Sequence, residues 1–418
     1  MLILYRMSAL PSSVDFRREH PSLPPNSQTT ELSIRPSNGN SFVPGNLIQM
    51  DLGQRGFFDP ESCYLRYKMT AAGADATYVM INSYSAVFSR LNVYFGSQLV
   101  ENITGYNQVQ AFLQNTHMSV ADKYGVQAAY GYKGTSSIAD MDSADIVVSS
   151  GTGSHTAGIL LPCVLTNSDK MIPLFAMPQV RVELQVEALS SIFFDGTAPT
   201  SLTISDVELV YSQVDLGAEV EGMIRGSGGE FFIKSQSFTN TSNSLATGAN
   251  GQYSVVFNQR LESIKSAYLL ASPTGENIWG DAIDITATNG SYQFQIGQTT
   301  YPQQPLSTSR AKNAMIQSLR KAVGSIYGHE TAMSINSVEW SQTTGTAIQP
   351  AKFIVGVPTE VLANEDTLMT GVSSNNSAIT LNVVSGTATG AVHNLHLILN
   401  YDALIHIDLE SGQAFLKK

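Results

Sequence analysis

Residues 180–188, Val-Arg-Val-Glu-Leu-Gln-Val-Glu-Ala, alternate apolar and polar side chains without a break. Successive side chains of a strand point to opposite faces of a sheet. The segment therefore places Val180, Val182, Leu184 and Val186 on one face, and Arg181, Glu183, Gln185 and Glu187 on the other. A helix of 3.6 residues per turn would scatter the same valines around its whole circumference. This predicts a strand buried on one side only. Leu202, Ile204, Val207, Leu209 and Tyr211 give a second long strand whose phase slips once near Ser205-Asp206, as a bulge requires. Ile405, Ile407 and Leu409 alternate with His406, Asp408 and Glu410 near the C-terminus. Shorter runs of the same kind predict strands over 30–36, 47–52, 63–70, 88–96, 158–166, 230–238, 253–258, 263–271, 292–297, 351–357, 378–384 and 393–401.

Helical spacing is scarce. Residues 105–117 form one candidate, and Leu216, Val220, Met223 and Ile224 form another at 216–225. The clearest is 309–324, where Met315, Leu319 and Val323 recur every fourth residue and Gly324 stands at the capping position. Four stretches, 119–157, 238–251, 272–291 and 325–350, have little periodicity and read as long surface connections. Many strands with few helices point to an all-β sandwich class. At 418 residues the chain is too long for one ordinary sandwich and suits two. The expected layout is a Pro- and Ser-rich arm over 1–29, a first unit over 30–225 and a second over 226–418, divided near Arg225-Gly-Ser-Gly-Gly229. No residue-level repeat links the halves.

Only 14% of the residues are charged, against a usual quarter, while 43% are hydrophobic. Such a chain has a neutral polar surface or buries much of its surface against neighbours. A formal net charge of −11 argues against nucleic-acid binding unless a basic patch exists. The N-terminal 36 residues hold Arg6, Arg17, Arg18 and Arg35 against Asp15, Glu19 and Glu31, too little to neutralise a genome. Cys63 and Cys163 both sit in apolar segments and read as buried free thiols rather than a bridge. The apolar start, Met1 to Tyr5, is too short for an export signal, so a soluble product is expected. The sequons at Asn102, Asn240, Asn289 and Asn375 read as chance in a chain rich in Asn, Ser and Thr.

Signatures of catalysis fail one after another. Gly131-Tyr-Lys-Gly-Thr135 lacks the spacing of a phosphate loop, and the glycines of 151–158 precede Leu-Leu strand residues instead of a helix. His329-Glu330 has no second histidine four residues on, so the zinc-protease helix is missing. Gly226-Ser-Gly-Gly229 is no nucleophile elbow, and Ser154-His155 are merely sequence neighbours. His393 and His396 share a strand region with Asp408 further on, and a surface or inter-subunit role outweighs a metal site. Asp281 and Asp284 read as solvated charge. Only Trp279 and Trp340 could serve as tryptophan platforms for sugars, and Tyr64, Tyr67, Tyr94 and Tyr211 fall in strands as packing residues. No catalytic, cofactor-binding or metal-ligating residue is assigned, and no cofactor is expected.

Several phrases resemble the major capsid proteins of double jelly-roll DNA viruses, such as virophages, Polinton-like viruses and small tailless phages. They are Glu31-Leu-Ser-Ile-Arg-Pro36, Leu47-Ile-Gln-Met-Asp-Leu52 and Asp59-Pro-Glu-Ser-Cys-Tyr-Leu-Arg-Tyr67, which open the first unit. Phe88 to Asn102 followed by Tyr106, then Ile172 to Leu184 and Leu202 to Tyr211, continue it. Tyr292-Gln-Phe-Gln-Ile-Gly297, Tyr301-Pro302 and the 309–324 helix look like the second. The resemblance implies two consecutive eight-stranded antiparallel jelly-roll sandwiches with long loops and a few short helices. It implies a non-enzymatic subunit of an icosahedral virion, assembled inside the host cell. Three copies would form a pseudo-hexameric capsomer whose outer loops, 119–157, 272–291 and 325–350, build towers. The implied partners are further copies of the chain, penton and minor capsid proteins and an inner membrane, without sequence-specific nucleic-acid binding. Two other readings stand beside it: a two-sandwich carbohydrate-binding, fibre or surface-layer protein, and an enzyme on a β scaffold.

Overall fold

The computed structural model describes residues 27–73, 77–80, 83–130, 146–149, 154–193, 199–226, 228–245, 251–273, 290–324, 333–335, 340, 353–361, 369–385 and 393–418. The first sandwich is built from β1 (Gln28–Ile34), β2 (Leu47–Asp51), β3 (Tyr64–Ala72), β4 (Phe88–Phe95), β5 (Gln98–Thr104), β6 (Ser154–Ile159), β7 (Val180–Val186) and β8 (Ser201–Asp215). One sheet runs β1-β8-β3-β6 and the other β2-β7-β4-β5, and every pairing is antiparallel. Short two-residue strands at Ser41–Phe42, Phe57–Phe58 and Ile172–Pro173 extend the first sheet.

The second sandwich repeats that order. Its strands are β9 (Glu230–Leu245), β10 (Gly251–Phe257), β11 (Ile264–Pro273), β12 (Ser291–Ile296), β13 (Thr299–Ser307), β14 (Ile354–Pro358), β15 (Ile379–Ser385) and β16 (His393–Asp408). They form β9-β16-β11-β14 and β10-β15-β12-β13, so each strand occupies the place of the one eight earlier. An added strand, β17 (Gln413–Lys417), pairs with the end of β16. Both halves thus have the eight-stranded jelly-roll order, with helices between the fifth and sixth strands of each. These are α1 (Tyr106–Thr116) and α2 (Val120–Tyr130) in the first, while a third, α3 (Ala218–Gly226), precedes β9 and α4 (Thr308–Val323) belongs to the second.

The alternation at 180–188 is realised in β7, with Val180, Val182, Leu184 and Val186 buried and Arg181 and Gln185 half-buried. Glu183 departs from the pattern and is buried, accepting from Gln49 Nε2 at 3.2 Å. The phase slip in β8 is a bulge: its register on β3 shifts between Ser205 and Glu208, and Asp206 takes a left-handed φ of 49°. The bulge sets Glu208 beside Arg66 and Arg35, and hydrogen bonding to Arg66 holds its carboxyl below the usual range. Gly324, past the end of α4, adopts φ 130° as a capping glycine can.

Several expected boundaries move. The strand expected at 158–166 lies earlier, at Ser154–Ile159, and Leu161 to Leu165 form buried turns. The connection expected at 119–157 contains α2, β6's start and a strand at Ile146–Ser149 that pairs with Thr77–Met80. The loop expected from 238 is strand to Leu245, because β16 continues beside it through sixteen residue pairs. The two separate runs at 393–401 and 405–409 are one strand, β16. Most of 272–291 and 325–350, and the arm through residue 26, lie outside the described residues.

Both sandwiches contribute to one continuous apolar core. In the first, Tyr67 meets Phe88 edge-on at 5.3 Å and its hydroxyl donates to the Tyr84 carbonyl at 2.5 Å. In the second, the Tyr268 hydroxyl donates to the Ala322 carbonyl at 2.5 Å, which ties α4 to β11. Leu184, fully buried, lies between Ile48 and Leu91 on neighbouring strands. Leu184→Asp puts an unpaired charge there, a loss of about 3–5 kcal/mol, so no soluble folded chain is expected. Gln185→Asp, beside Arg90 on the neighbouring strand, should melt within a few degrees of wild type. Soluble expression and thermal melts of the two variants check the assignment of the faces.

Candidate functional site: the seam between the sandwiches

β9 is the edge strand of its sheet, and its outer edge is covered by the first sandwich. The Asp169 N–H donates to the Lys234 carbonyl at 2.9 Å, and the Thr104 hydroxyl donates to the Asn240 carbonyl at 3.0 Å. Residues of alternate parity on β9 point to opposite faces, and the first sandwich takes hold of both. On one face the Ser235 hydroxyl donates to the Val164 carbonyl at 2.6 Å and the Ser237 hydroxyl donates to Glu101. On the other, Phe238 meets Phe112 and His117 at ring separations of 6.4 and 6.3 Å, and Asn240 donates to Gln108 at 2.9 Å.

Glu101 is a carboxylate with almost no exposure. It accepts from the Val164 N–H at 2.9 Å, from Ser237 and from the Tyr401 hydroxyl at 3.4 Å. Burial pushes its pKa up, while those donors and the charge of Lys418 oppose the rise. Lys418 itself donates to the neighbouring Val100 carbonyl at 3.0 Å.

Helix α1 is rich in buried polar side chains, of which Gln108 reaches across to the second sandwich. Asn107, Gln108, Gln110, Gln114, Asn115 and Thr116 are all buried. Each has a hydrogen-bond partner: Gln108 bridges Asn240 and His396 (3.2 Å), Gln110 donates to the Leu160 carbonyl (2.8 Å), and Gln114 donates to Ser85 (2.7 Å). Asn107 donates to Glu187 at 3.2 Å, and Asn115 accepts from Lys123 at 2.7 Å. Phe112 supplies the apolar anchor, packed on Tyr268 of the second sandwich at 4.4 Å. The helix starts at Gly105, whose φ is 59°; a Cβ there would lie 2.5 Å from Asn240 Nδ2. The left-handed backbone favours glycine here, and a side chain would push the Asn240–Gln108 pair aside.

The titratable groups of the seam are held uncharged or tightly bonded. Burial pushes His117 and His396 down to about 4, so both are neutral packing groups near pH 7. Burial likewise raises both thiols, Cys163 to about 12, which leaves them protonated and unreactive. Both cysteines are free and buried, as their apolar contexts suggest.

The remaining sequence candidates are dispersed. His396 and Asp408 sit twelve residues apart on one strand, about 40 Å along it. His396 faces α1, whereas Asp408 caps a turn by accepting from Ser411 Oγ at 2.6 Å. His155 lies 3.2 Å from the Tyr84 hydroxyl. Trp340 is a core residue, donating to the Ile354 carbonyl at 2.9 Å, and Tyr67 and Tyr211 are fully buried. Among the described residues no cluster of His, Cys, Asp and Glu is arranged to hold a metal ion, and no helix is long and apolar enough to cross a membrane. Asp281, Asp284, Trp279, His329 and Glu330 lie outside the described residues. The seam itself was missed at the sequence level. Its trace is the run Asn107-Gln-Val-Gln-Ala-Phe-Leu-Gln-Asn-Thr116, a helical segment rich in amides and free of charge.

No family model and no curated protein matches the sequence. Solved structures do match along nearly the whole chain. The VP54 protein of PBCV-1, fitted into a reconstruction of the virophage Sputnik, is 10% identical with a TM-score of 0.62, covering 96% of this chain and 98% of that one. The Faustovirus major capsid protein is 10% identical with a TM-score of 0.59, covering 95% and 94%. The mavirus major capsid protein is 12% identical with a TM-score of 0.53, covering 100% and 95%. At such identities the likeness is one of fold, and the fold is the double jelly roll.

Two tests address the seam. Glu101→Ala leaves the Val164 N–H and the Ser237 hydroxyl without their acceptor in a dry interface, for an expected loss of about 2–3 kcal/mol in denaturant unfolding. The neutral histidines give an acid limb. Each has a folded pKa below its unfolded value of about 6.5, so the unfolded chain takes up protons first as pH falls. Stability is therefore complete above about 6.5 and declines toward about 4, by up to ~1.4 kcal/mol per pH unit for each histidine. Unfolding curves of His396→Gln between pH 4 and 7 should show a shallower decline than wild type; an unchanged slope removes His396 from the acid response.

Proposed function

We propose that this chain is the major capsid protein of an icosahedral virus. Its role is structural, three copies associate into a pseudo-hexameric capsomer, and the capsomers form the shell of the virion. We further assign residues 1–29 to an arm, 30–225 to the first jelly roll and 226–418 to the second. The observation that carries the reading is the unequal treatment of two equivalent edges. β1 and β9 hold the same place in their sandwiches. β9 is covered by the first sandwich, whereas β1 pairs with β8 alone among the described residues and is exposed from Gln28 to Glu31. A bare strand edge is a template for association.

The contact within the chain joins unlike surfaces: β5 and α1 of one sandwich meet β9 of the next. Unlike-surface contacts build rings where the rotation closes. Repeating the contact between chains sets β13 of one copy against β1 of another, and six sandwiches in a ring use three chains. Two of the matching solved structures, of comparable length, are the major capsid proteins of Faustovirus and mavirus, which supports the same role for a chain of this fold. The low charged fraction, 14%, suits a subunit with much of its surface against neighbours.

Light scattering on a sizing column, with electron microscopy of the same peak, tests this. The expected mass is three times that of the 45.0 kDa chain, with pseudo-hexagonal outlines. A monomer under all assembly conditions overturns the reading. Thr30→Lys on β1 and Gln304→Arg on β13, both exposed, should each yield folded monomers that melt as the isolated wild-type chain does. Trimers formed by both variants would move the contact elsewhere.

A further inference from the structure

A cavity of about 1040 Å³ opens between the sandwiches beside the seam, at the upper end of the ~300–1,000 Å³ typical of ligand sites. Its two walls differ in chemistry. The first sandwich presents Leu113, Met118, Tyr130, Leu160 and Leu161. Leu160 is 49% exposed although it belongs to this wall, so its side chain is held open rather than packed away. The second sandwich presents Lys234, Lys265 and Lys321, with Phe238 between the walls. Lys321 stands exposed in the last turn of α4.

The facing charges are unevenly engaged. Two carboxylates, Glu61 and Glu360, also line the cavity. Glu360 is 3.5 Å from Lys265 and accepts from Thr370 at 2.5 Å, and Asp402 approaches Lys265 from behind at 3.9 Å. Lys265 is thereby held in place by acids on its own sandwich. Lys321 and Lys234 add positive charge on the same side, and Glu61 stands on the opposite, apolar wall. His117, at the end of α1, is a buried neutral group that contributes no charge near neutral pH. The leucines and Met118 of the first sandwich, with Gln110, Gln114 and Thr166 among them, offer a hydrocarbon a surface, and Lys321 offers an anion a cation.

We propose that this cavity binds a long-chain fatty acid. The carboxylate lies at Lys321, and the hydrocarbon runs along Leu113, Met118 and Leu160. The occupant spans both sandwiches, so it adds contacts across the seam that the protein alone does not make. A bound acid therefore stabilises the relative placement of the sandwiches and raises the melting temperature of the whole chain by mass action. The inference concerns a single chain and holds whether or not chains associate.

The experiment is a calorimetric titration of the purified full chain with oleate below its micellar concentration, alongside thermal melts. Methyl oleate and inorganic phosphate serve as separate arms, one lacking the charge and one lacking the chain. Saturable one-to-one binding of oleate with a rise in melting temperature is expected, with methyl oleate at least tenfold weaker and phosphate without effect. Lys321→Glu and Leu160→Ser, both at exposed positions, should fold normally and each weaken oleate binding at least tenfold. Absence of oleate binding to wild type overturns the proposal. So does oleate binding of undiminished strength in both variants, or equal binding of oleate and its methyl ester.

Discussion

The outer edge of β9 is the constraint on which the arrangement of the two sandwiches depends. An edge strand carries backbone donors and acceptors that must find partners once water is excluded. Here the partners come from another sandwich: Asp169 and Thr104 donate to the edge carbonyls, and Gln108 of α1 accepts from Asn240. Satisfied polar contacts of this kind are modest in net energy but expensive to leave unmade. A small rotation of one sandwich against the other would break several at once. Apolar contact between Phe112, Phe238 and Tyr268 supplies adhesion, and the polar contacts select one placement.

That division of labour explains how a chain without a detectable internal repeat uses one topology twice. Strand order depends on which positions are apolar, and many sequences satisfy the same pattern. The seam asks for particular hydrogen-bonding groups at particular places, and among the described residues only one of the two equivalent edges meets them. The first sandwich's own edge, β1, carries Gln28, Thr29, Thr30 and Glu31 outward instead. Topology is thus repeated while surface chemistry is not, and the difference between β1 and β9 gives the molecule a direction.

Much of the architecture was legible because strand and helix periods leave different marks. The alternation at 180–188, the bulge at Ser205-Asp206 and the four-residue spacing in 309–324 each appear as expected. Other elements depend on partners distant in sequence. Asn240 to Leu245 is polar and reads as a loop, yet β16 holds it as strand through backbone pairing. β13 contains Pro302 and Pro305, which argue against a strand, but it is the outer strand of its sheet, where proline is tolerated. The interface helix is hardest of all. Its amides look like those of a solvated segment, and nothing local reveals that His396 and Asn240, far along the chain, will meet Gln108.

The pairing of β9 with β16 runs through sixteen consecutive residue pairs, about 50 Å of continuous ribbon. One end stands near β17 and the other at the Leu245–His393 pair, and α1 bears on it between the two. Mechanically this is a beam clamped at mid-span. A load along the strands is shared by all the cross-strand hydrogen bonds at once, whereas a load that twists the ends apart acts on the clamp. The molecule should therefore resist stretching along this axis far better than torsion about it, and the interface helix, rather than either sandwich, is where torsional yield begins.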